Sequence, residues 1–260
     1  MYYRTSNKFF EIMKCNELRS NFSYSHYKNT LKKFKERYDF HTFGNASDND
    51  VLLRHDVDAS LKAALKIAEI DNEVGISSTF FIYIHSEFYN TFELKSSNII
   101  RKMLKLGHKI GLHYNELFFA ENDLNPSQTI MKEIEILEHH FKTKIEAIAV
   151  HEASKRRKIK LNLPKRIVNC YSKKFFLERK YISDSAQFWR EQCFCQNITK
   201  YKKLQILTHP IWWSNDNKKR KDIMKTFQNR KKYDEYSNYV KEATKMHEDH
   251  VIRIKKSKHK

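Results

Sequence analysis

Two carboxylates stand two residues apart at the end of an apolar run, Val51-Leu52-Leu53-Arg54-His55-Asp56-Val57-Asp58. In an extended strand side chains alternate between faces, so Arg54, Asp56 and Asp58 share one face and His55 turns to the other. Carboxylates this close need a cation between them, either a metal ion or an arginine. Three further apolar runs end in an imidazole. His113 closes Gly-His-Lys-Ile-Gly-Leu-His, His151 and Glu152 follow Ala147-Ile-Ala-Val150, and His209 follows Leu204-Gln-Ile-Leu-Thr208, with Trp212 and Trp213 close behind. Taken alone, His113 reads more readily as a hydrogen-bonded structural histidine. Four runs ending in Asp, His, His and His form instead a set of oxygen and nitrogen donors that suits zinc or another divalent transition ion. His108, just past a helix end, reads as structural, and His139 and His140 fall on the polar side of a helix.

These groups converge only if the runs that carry them lie side by side. Short apolar runs at Val51–Leu53, Ser78–Ile84, Lys109–Tyr114, Ala147–Val150, Arg166–Tyr171 and Leu204–Thr208 are too brief for helices and read as buried strands. Helical spacing appears between them. Leu61, Ala64, Leu65 and Ala68 share one face of a helix over 59–74 that ends at Gly75, and a second over 97–106 ends at Gly107. A third begins with Asn125 as N-cap, Pro126 at N1 and Gln128 at N3. Residues 23–40 read as an additional amphipathic helix before the first strand. Strand and helix in alternation predict an α/β fold with a parallel sheet, either a barrel or a doubly wound sheet, whose functional groups gather at the C-terminal strand ends. Gly111, inside a strand, marks a close backbone approach.

Composition narrows the class. The 260 residues carry 50 Lys plus Arg against 31 Asp plus Glu, a formal charge of +19, with only 4 Gly and 3 Pro. Residues 1–150 hold 20 basic and 20 acidic side chains, so the whole excess falls after residue 150. With 18 Phe and 14 Tyr, the chain is too aromatic for a disordered basic tail. Four cysteines (Cys15, Cys170, Cys193, Cys195) make no Cys-x-x-Cys and are read as reduced thiols. The N-terminal stretch lacks an apolar signal core, so a cytoplasmic protein is expected.

The order of these motifs resembles the NodB-homology polysaccharide deacetylases of carbohydrate esterase family 4, over roughly residues 30–215, as a divergent branch with Arg-His-Asp-Val-Asp as first motif. The resemblance implies a distorted (β/α) barrel at 46–216, with an N-terminal helical extension at 1–45 and a basic helical tail at 217–260. It makes Asp56 the base and Asp58 and His113 ligands of a divalent metal, expected to be zinc. The family's second histidine falls on Leu117, and His151 is the candidate replacement. The stretch Tyr181-Ile-Ser-Asp-Ser-Ala-Gln-Phe-Trp189 resembles the fourth motif and supplies Asp184 and Trp189. Leu-Thr-His-Pro resembles the fifth and makes His209 the acid. Trp189, Trp212 and Arg54 are expected to touch substrate, with at most one of Trp212 and Trp213 doing so.

The implied reaction is removal of an N-acyl group from an amino sugar in a glycan, or in a nucleotide- or lipid-linked precursor. The alternative is a catalytically inactive deacetylase-like protein that binds glycan or an anionic partner through its basic half. Basic runs at 155–160 and 218–221 suit phosphate groups or a solvated face equally, and the tail could touch anionic surfaces. No zinc-finger or RNP signature accompanies the charge, which disfavours nucleic acid as the partner.

Overall fold

The computed structural model describes residues 21–153 and 159–226. The basic run at 155–158 and residues 227–260 of the tail lie outside them. The described elements run α1 (Tyr24–Lys35), β1 (Asp39–His41), β2 (Asp50–Val57), α2 (Leu61–Val74), β3 (Thr79–Ile82), α3 (Leu94–Lys105), β4 (Lys109–Tyr114), α4 (Glu116–Glu121), α5 (Pro126–Phe141), β5 (Ala147–Val150), β6 (Val168–Asn169), β7 (Lys180–Ser183) and β8 (Leu204–Thr208).

The expected start at Asn125 and stops at Gly75 and Gly107 are present, whereas α2 begins at Leu61 rather than 59 and α3 at Leu94 rather than 97. Ser60 and Asn125 accept from the backbone N–H groups of Ala63 and Gln128, and Gly75 and Gly107 adopt φ of 74° and 89° just past α2 and α3. The helix expected at 23–40 is shorter, because residues 39–41 leave it to form β1.

Every strand pairing is parallel, in the order β6-β5-β4-β3-β2-β8-β7. β1 pairs with the first half of β2 and β3 with the second half, so two short strands in succession cover one edge of β2. The edge strands β6 and β7 share no ladder, yet the sheet curls enough to bring their ends together. Tyr171, just after β6, lies with its ring centroid 6.2 Å from that of Tyr181 in β7. Gln205 on β8 donates to the carbonyls of Cys170 and Phe175 across the same gap. The sheet is a curled, open half-barrel, which is the distorted (β/α) barrel expected from the resemblance.

Alternation along the strands divides the core in two. Leu53, Phe80, Ile82, Ile110, Leu112, Ile148 and Ile206 face outward under the helices, while Leu52, Phe81, Ala147, Ala149, Cys170 and Phe175 fill the concave side. Gly111 faces Phe81 there. A Cβ at Gly111 would stand 2.5 Å from the Phe81 ring and 2.8 Å from the Ala147 carbonyl, so a large ring on β3 fits only because β4 has none.

The boundary expected at residue 45 does not separate an extension from a barrel. Phe22, Tyr27, Leu31 and Phe34 are buried in the same core as the outer sheet face, and β1 belongs to the sheet. Residues 22–45 are therefore built into the domain, because the half-barrel's outer face needs α1 to cover it.

One polar network crosses this outer core. The buried Asp71 of α2 accepts hydrogen bonds from Tyr27 Oη at 2.7 Å, Ser78 Oγ at 2.7 Å and His55 Nε2 at 2.9 Å. His55 Nδ1 meets Thr208 Oγ1 at 2.7 Å, so the outward side of β2 is tied to α1, α2 and β8 at once. Replacing Asp71 by Ala strands three buried donors, each costing about 1–3 kcal/mol. The expected loss in D71A is at least about 3 kcal/mol in urea denaturation. D48A, at a carboxylate exposed to solvent beside Lys203, is expected to leave the midpoint in place. Equal midpoints for D71A and wild type would show that the network contributes nothing.

Candidate active site

Four strand ends deliver the expected groups to one place. Asp58 follows β2, where the half-buried Ser86 hydroxyl donates to its carbonyl at 2.7 Å and Tyr89 Oη to that of Val57 at 2.6 Å. His113 lies within β4. His151 extends β5, with its N–H on Tyr114 O at 2.7 Å, before Glu152 turns the chain away at φ 49°. His209 follows β8.

Three donor atoms form a nearly equilateral triangle. His113 Nε2 lies 3.1 Å from Asp58 Oδ1, His151 Nδ1 lies 3.2 Å from the same oxygen, and the two ring nitrogens are 3.2 Å apart. His113 Nδ1 stands 2.9 Å from the Ala149 carbonyl, which commits its proton and leaves Nε2 a lone pair in the neutral ring. Asp58 Oδ1 is buried and has no hydrogen-bond donor. Acceptors crowded in this way require a proton or a cation between them. Ligands about 2.1 Å from a divalent ion lie about 3.0 Å apart in octahedral and about 3.4 Å apart in tetrahedral coordination. The observed spacings fall between these values, so the residues fit a divalent metal held by one face of its coordination shell.

The charges of the neighbours act in the same sense. Burial raises the Asp58 carboxyl, but the His113 and His151 imidazoles beside it outweigh burial and hold Asp58 well below the usual range. Burial lowers His113, while Asp56 and Asp58 pull it above its ordinary value. These two shifts express one fact, that the cluster attracts positive charge.

Asp56 sits beside this triangle on the concave side. Its Oδ2 takes a hydrogen bond from Arg54 Nη2 at 2.8 Å and lies 3.8 Å from His113 Nε2. Its Oδ1 is buried without a donor and borders the cavity. Across the cavity, His209 Nδ1 is 2.6 Å from Asp184 Oδ1, and His209 Nε2 is 3.9 Å from Asp58 Oδ2. Asp184 also accepts from the His209 backbone N–H and from Trp213 Nε1 at 3.0 Å. Burial lowers His209, yet Asp184 raises it to about 9. Burial raises Asp184 itself, against the pull of His209. A cavity of about 680 Å³ opens over Asp56, Asp58, His113, His151 and His209, with Trp212 in its wall.

Two expected substrate contacts are corrected. Arg54 is fully buried beneath Asp56, bonded to Gln205 and Tyr171 and placed over the rings of Phe81 and Tyr171, so it positions Asp56 and reaches no substrate. Trp189 is fully buried, stacked on Phe22 and Phe194 in the outer core, and is not among the residues that line the cavity over Asp58. The tryptophan pair behaves as its adjacency requires. Trp213 packs inward, while Trp212 lines the cavity. Leu117, in the first turn of α4, is 45% exposed and offers no ligand.

Other contributors went unread in the sequence. Tyr83 stacks on His151 with centroids 4.3 Å apart, and Gln205 and Tyr171 hold Arg54. Tyr83 directly follows β3, so reading what every strand end delivers would have found it. Gln205 is a lone amide in an apolar strand, which is itself a signal.

No family model matches the chain, and no curated protein matches it. Among solved structures it is similar to proteins of carbohydrate esterase family 4. A family 4 carbohydrate esterase from Bacillus anthracis is 13% identical, with 78% of this chain and 84% of that one covered and a TM-score of 0.38. A family 4 acetyl xylan esterase from Clostridium thermocellum, in complex with a cobalt ion, is 13% identical over 69% and 84%, with a TM-score of 0.39. The peptidoglycan deacetylase Bd3279 of Bdellovibrio bacteriovorus is 15% identical, with a TM-score of 0.40. The match covers 75% of this chain but only 53% of that one. Among the described residues no helix is long and apolar enough to cross a membrane.

The Arg54–Asp56 pair gives a test of the site's construction. Replacing Arg54 by Met leaves a buried carboxylate without its cation, and a loss of about 3–5 kcal/mol in denaturation is expected. The double variant R54M/D56L removes both charges and is expected to regain most of that loss. A double variant no more stable than R54M would show that the charge pair is not the source.

Proposed function

We propose that this chain is a metal-dependent amide hydrolase of the polysaccharide deacetylase type, which removes an N-acyl group from an amino sugar in a glycan. What supports the reading is one juxtaposition. A triangle of three acceptor atoms, an unoccupied carboxylate oxygen and an imidazole raised in pKa face one cavity. Asp58, His113 and His151 are the proposed ligands, and zinc is our reading of the ion, on the chemistry of one carboxylate and two imidazoles.

A divalent ion held there would lower the pKa of a water and polarise an acyl carbonyl. The protein groups divide the proton work. Asp56 Oδ2 is held by Arg54, which leaves Oδ1 to take the proton of the attacking water as it adds to the amide carbon. His209 is held at Nδ1 by Asp184, so Nε2 carries its proton toward the cavity. As the C–N bond breaks, that proton passes to the amine. A carboxylate and a free amino sugar result. Trp212 supplies an apolar wall, and its buried Nε1 has no acceptor among the described residues, which leaves it free for a substrate oxygen.

The direct test is the metal content of purified protein, together with release of free amine from N-acetylated amino-sugar oligomers. Near-stoichiometric metal is expected in the wild type, with metal and activity both lost in D58A, H113A and H151A. D56N is expected to keep its metal and lose activity by about 100-fold or more. A wild type that takes up no divalent ion sinks the proposed site. A loaded but inert protein supports instead the glycan-binding alternative.

The acid assigned to His209 makes a second prediction. A general acid works only while protonated, so activity falls as pH rises through its pKa. In D184N the imidazole loses the partner that raises it to about 9, and the alkaline limb of kcat/KM is expected to move to lower pH. An unmoved limb would assign that limb to another group.

A further inference from the structure

Away from this site, a second cluster of metal-binding side chains joins the start of α1 to the segment before β8. His26 lies in the first turn of α1, whose N-cap is Ser23. Cys193 and Cys195 flank Phe194 in the short turn Phe194–Gln196. Phe194 is fully buried against Trp189, Tyr27, Phe34 and Trp213, which anchors the turn in the aromatic core. The Asn197 side chain donates to the Cys193 carbonyl at 3.2 Å and fixes the same turn from the other side. With Phe194 pinned inward, the two cysteines are left beside the His26 ring.

We propose that His26, Cys193 and Cys195 form a second metal site, selective for a thiophilic divalent ion such as zinc or cadmium, with its fourth position open to the surface. His26 Nε2 is 3.3 Å from Cys193 Sγ, and the three donor atoms lie within 4.8 Å of one another. Tetrahedral zinc with Zn–S of about 2.3 Å and Zn–N of about 2.0–2.1 Å requires N···S near 3.5 Å and S···S near 3.8 Å. The His26–Cys193 spacing is within a few tenths of an ångström of this geometry, and the 4.8 Å bound on the other pairs leaves at most about 1 Å for side-chain rotation to close. Both sulfurs are free thiols. Two thiolates and a neutral imidazole carry a charge of −2, which balances a divalent cation and leaves the partly buried site neutral.

The open position follows from burial. Cys193 is buried and His26 and Cys195 are partly exposed. His26 and Cys195 border a surface cavity of about 450 Å³ that also meets Ser25, Asn29 and Lys33. A water or a small external donor reaches the ion from that side, so the site exchanges its metal more readily than a closed four-ligand site. Donor type separates the two centres. The Asp58, His113 and His151 set has no sulfur and suits harder borderline ions, whereas this one has two. An ion here ties residue 26 to residues 193 and 195 and so links two segments remote in sequence.

The test is a cobalt(II) titration of the reduced, chelator-stripped full chain under anaerobic conditions. Thiolate-to-cobalt charge transfer absorbs in the near ultraviolet and reports only on a sulfur-containing site. Two equivalents are expected in the wild type, one of them accompanied by this band. C195S is expected to lose the band and one equivalent while the sulfur-free centre fills as before, and C15S to keep both. Independently of any variant, one equivalent of zinc is expected to protect two thiols of the wild type from Ellman's reagent. A wild type without the band, a band that survives in C195S, or a Cys193–Cys195 disulfide that forms in place of metal binding would overturn the site.

Discussion

A guanidinium shut away from water is tolerable only where carboxylate, amide and ring faces surround it, and Arg54 meets that condition on the concave side of the sheet. It bonds Asp56 on its own strand, Gln205 on β8 and Tyr171 beyond β6, and it lies over the Phe81 and Tyr171 rings. Those contacts set the direction of Asp56. They also hold the two ends of an open sheet near one another. The same cation stands 2.8 Å from the Asp56 carboxylate, whose Oδ2 lies 3.8 Å from His113 Nε2. The direction of Asp56, its approach to His113 and the curl of the sheet thus rest on one buried charge.

The outer face of β2 is organised by the opposite device. There a carboxylate, Asp71, collects three donors, and His55 passes the connection on to Thr208. The strand that carries Asp56 and ends at Asp58 is fixed by polar contacts on both faces, in addition to its ladders with β3 and β8. Precision of this kind is what a site of three converging acceptors needs, since displacement of one donor by 1 Å would spoil the triangle.

Much of this was legible in the sequence where apolar runs stand alone. The strands Lys109–Tyr114, Ala147–Val150 and Leu204–Thr208 were read with the bounds they have. The first strand was read as Val51–Leu53 but runs from Asp50 to Val57, because Arg54, His55 and Asp56 are polar and nonetheless buried, and hydropathy gives no sign of a satisfied buried charge. β7 escaped notice for a related reason, since Lys180-Tyr-Ile-Ser lies at a sheet edge and has little apolar pattern. Strand ends and motif order are legible in the sequence, which is why Asp56, Asp58, His113, His151, Asp184 and His209 lie together in space. Arg54 and Trp189 were misplaced because a motif fixes where a residue stands in the chain but not how deeply it is buried. Cys193 and Cys195 were passed over because their partner, His26, lies 167 residues away from Cys193.

The gap between β6 and β7 has a further meaning. The strands that lead to Asp58, His113, His151 and His209, namely β2, β4, β5 and β8, lie on one unbroken run of hydrogen-bonded neighbours, β5-β4-β3-β2-β8. The break falls outside that run and is spanned by side chains alone. Tyr171 and Gln205 carry the connection there, so the ladder register that aligns Asp58, His113, His151 and His209 does not depend on it. The molecule therefore keeps the alignment of these four groups in its backbone ladder and leaves the closure of the sheet to side chains.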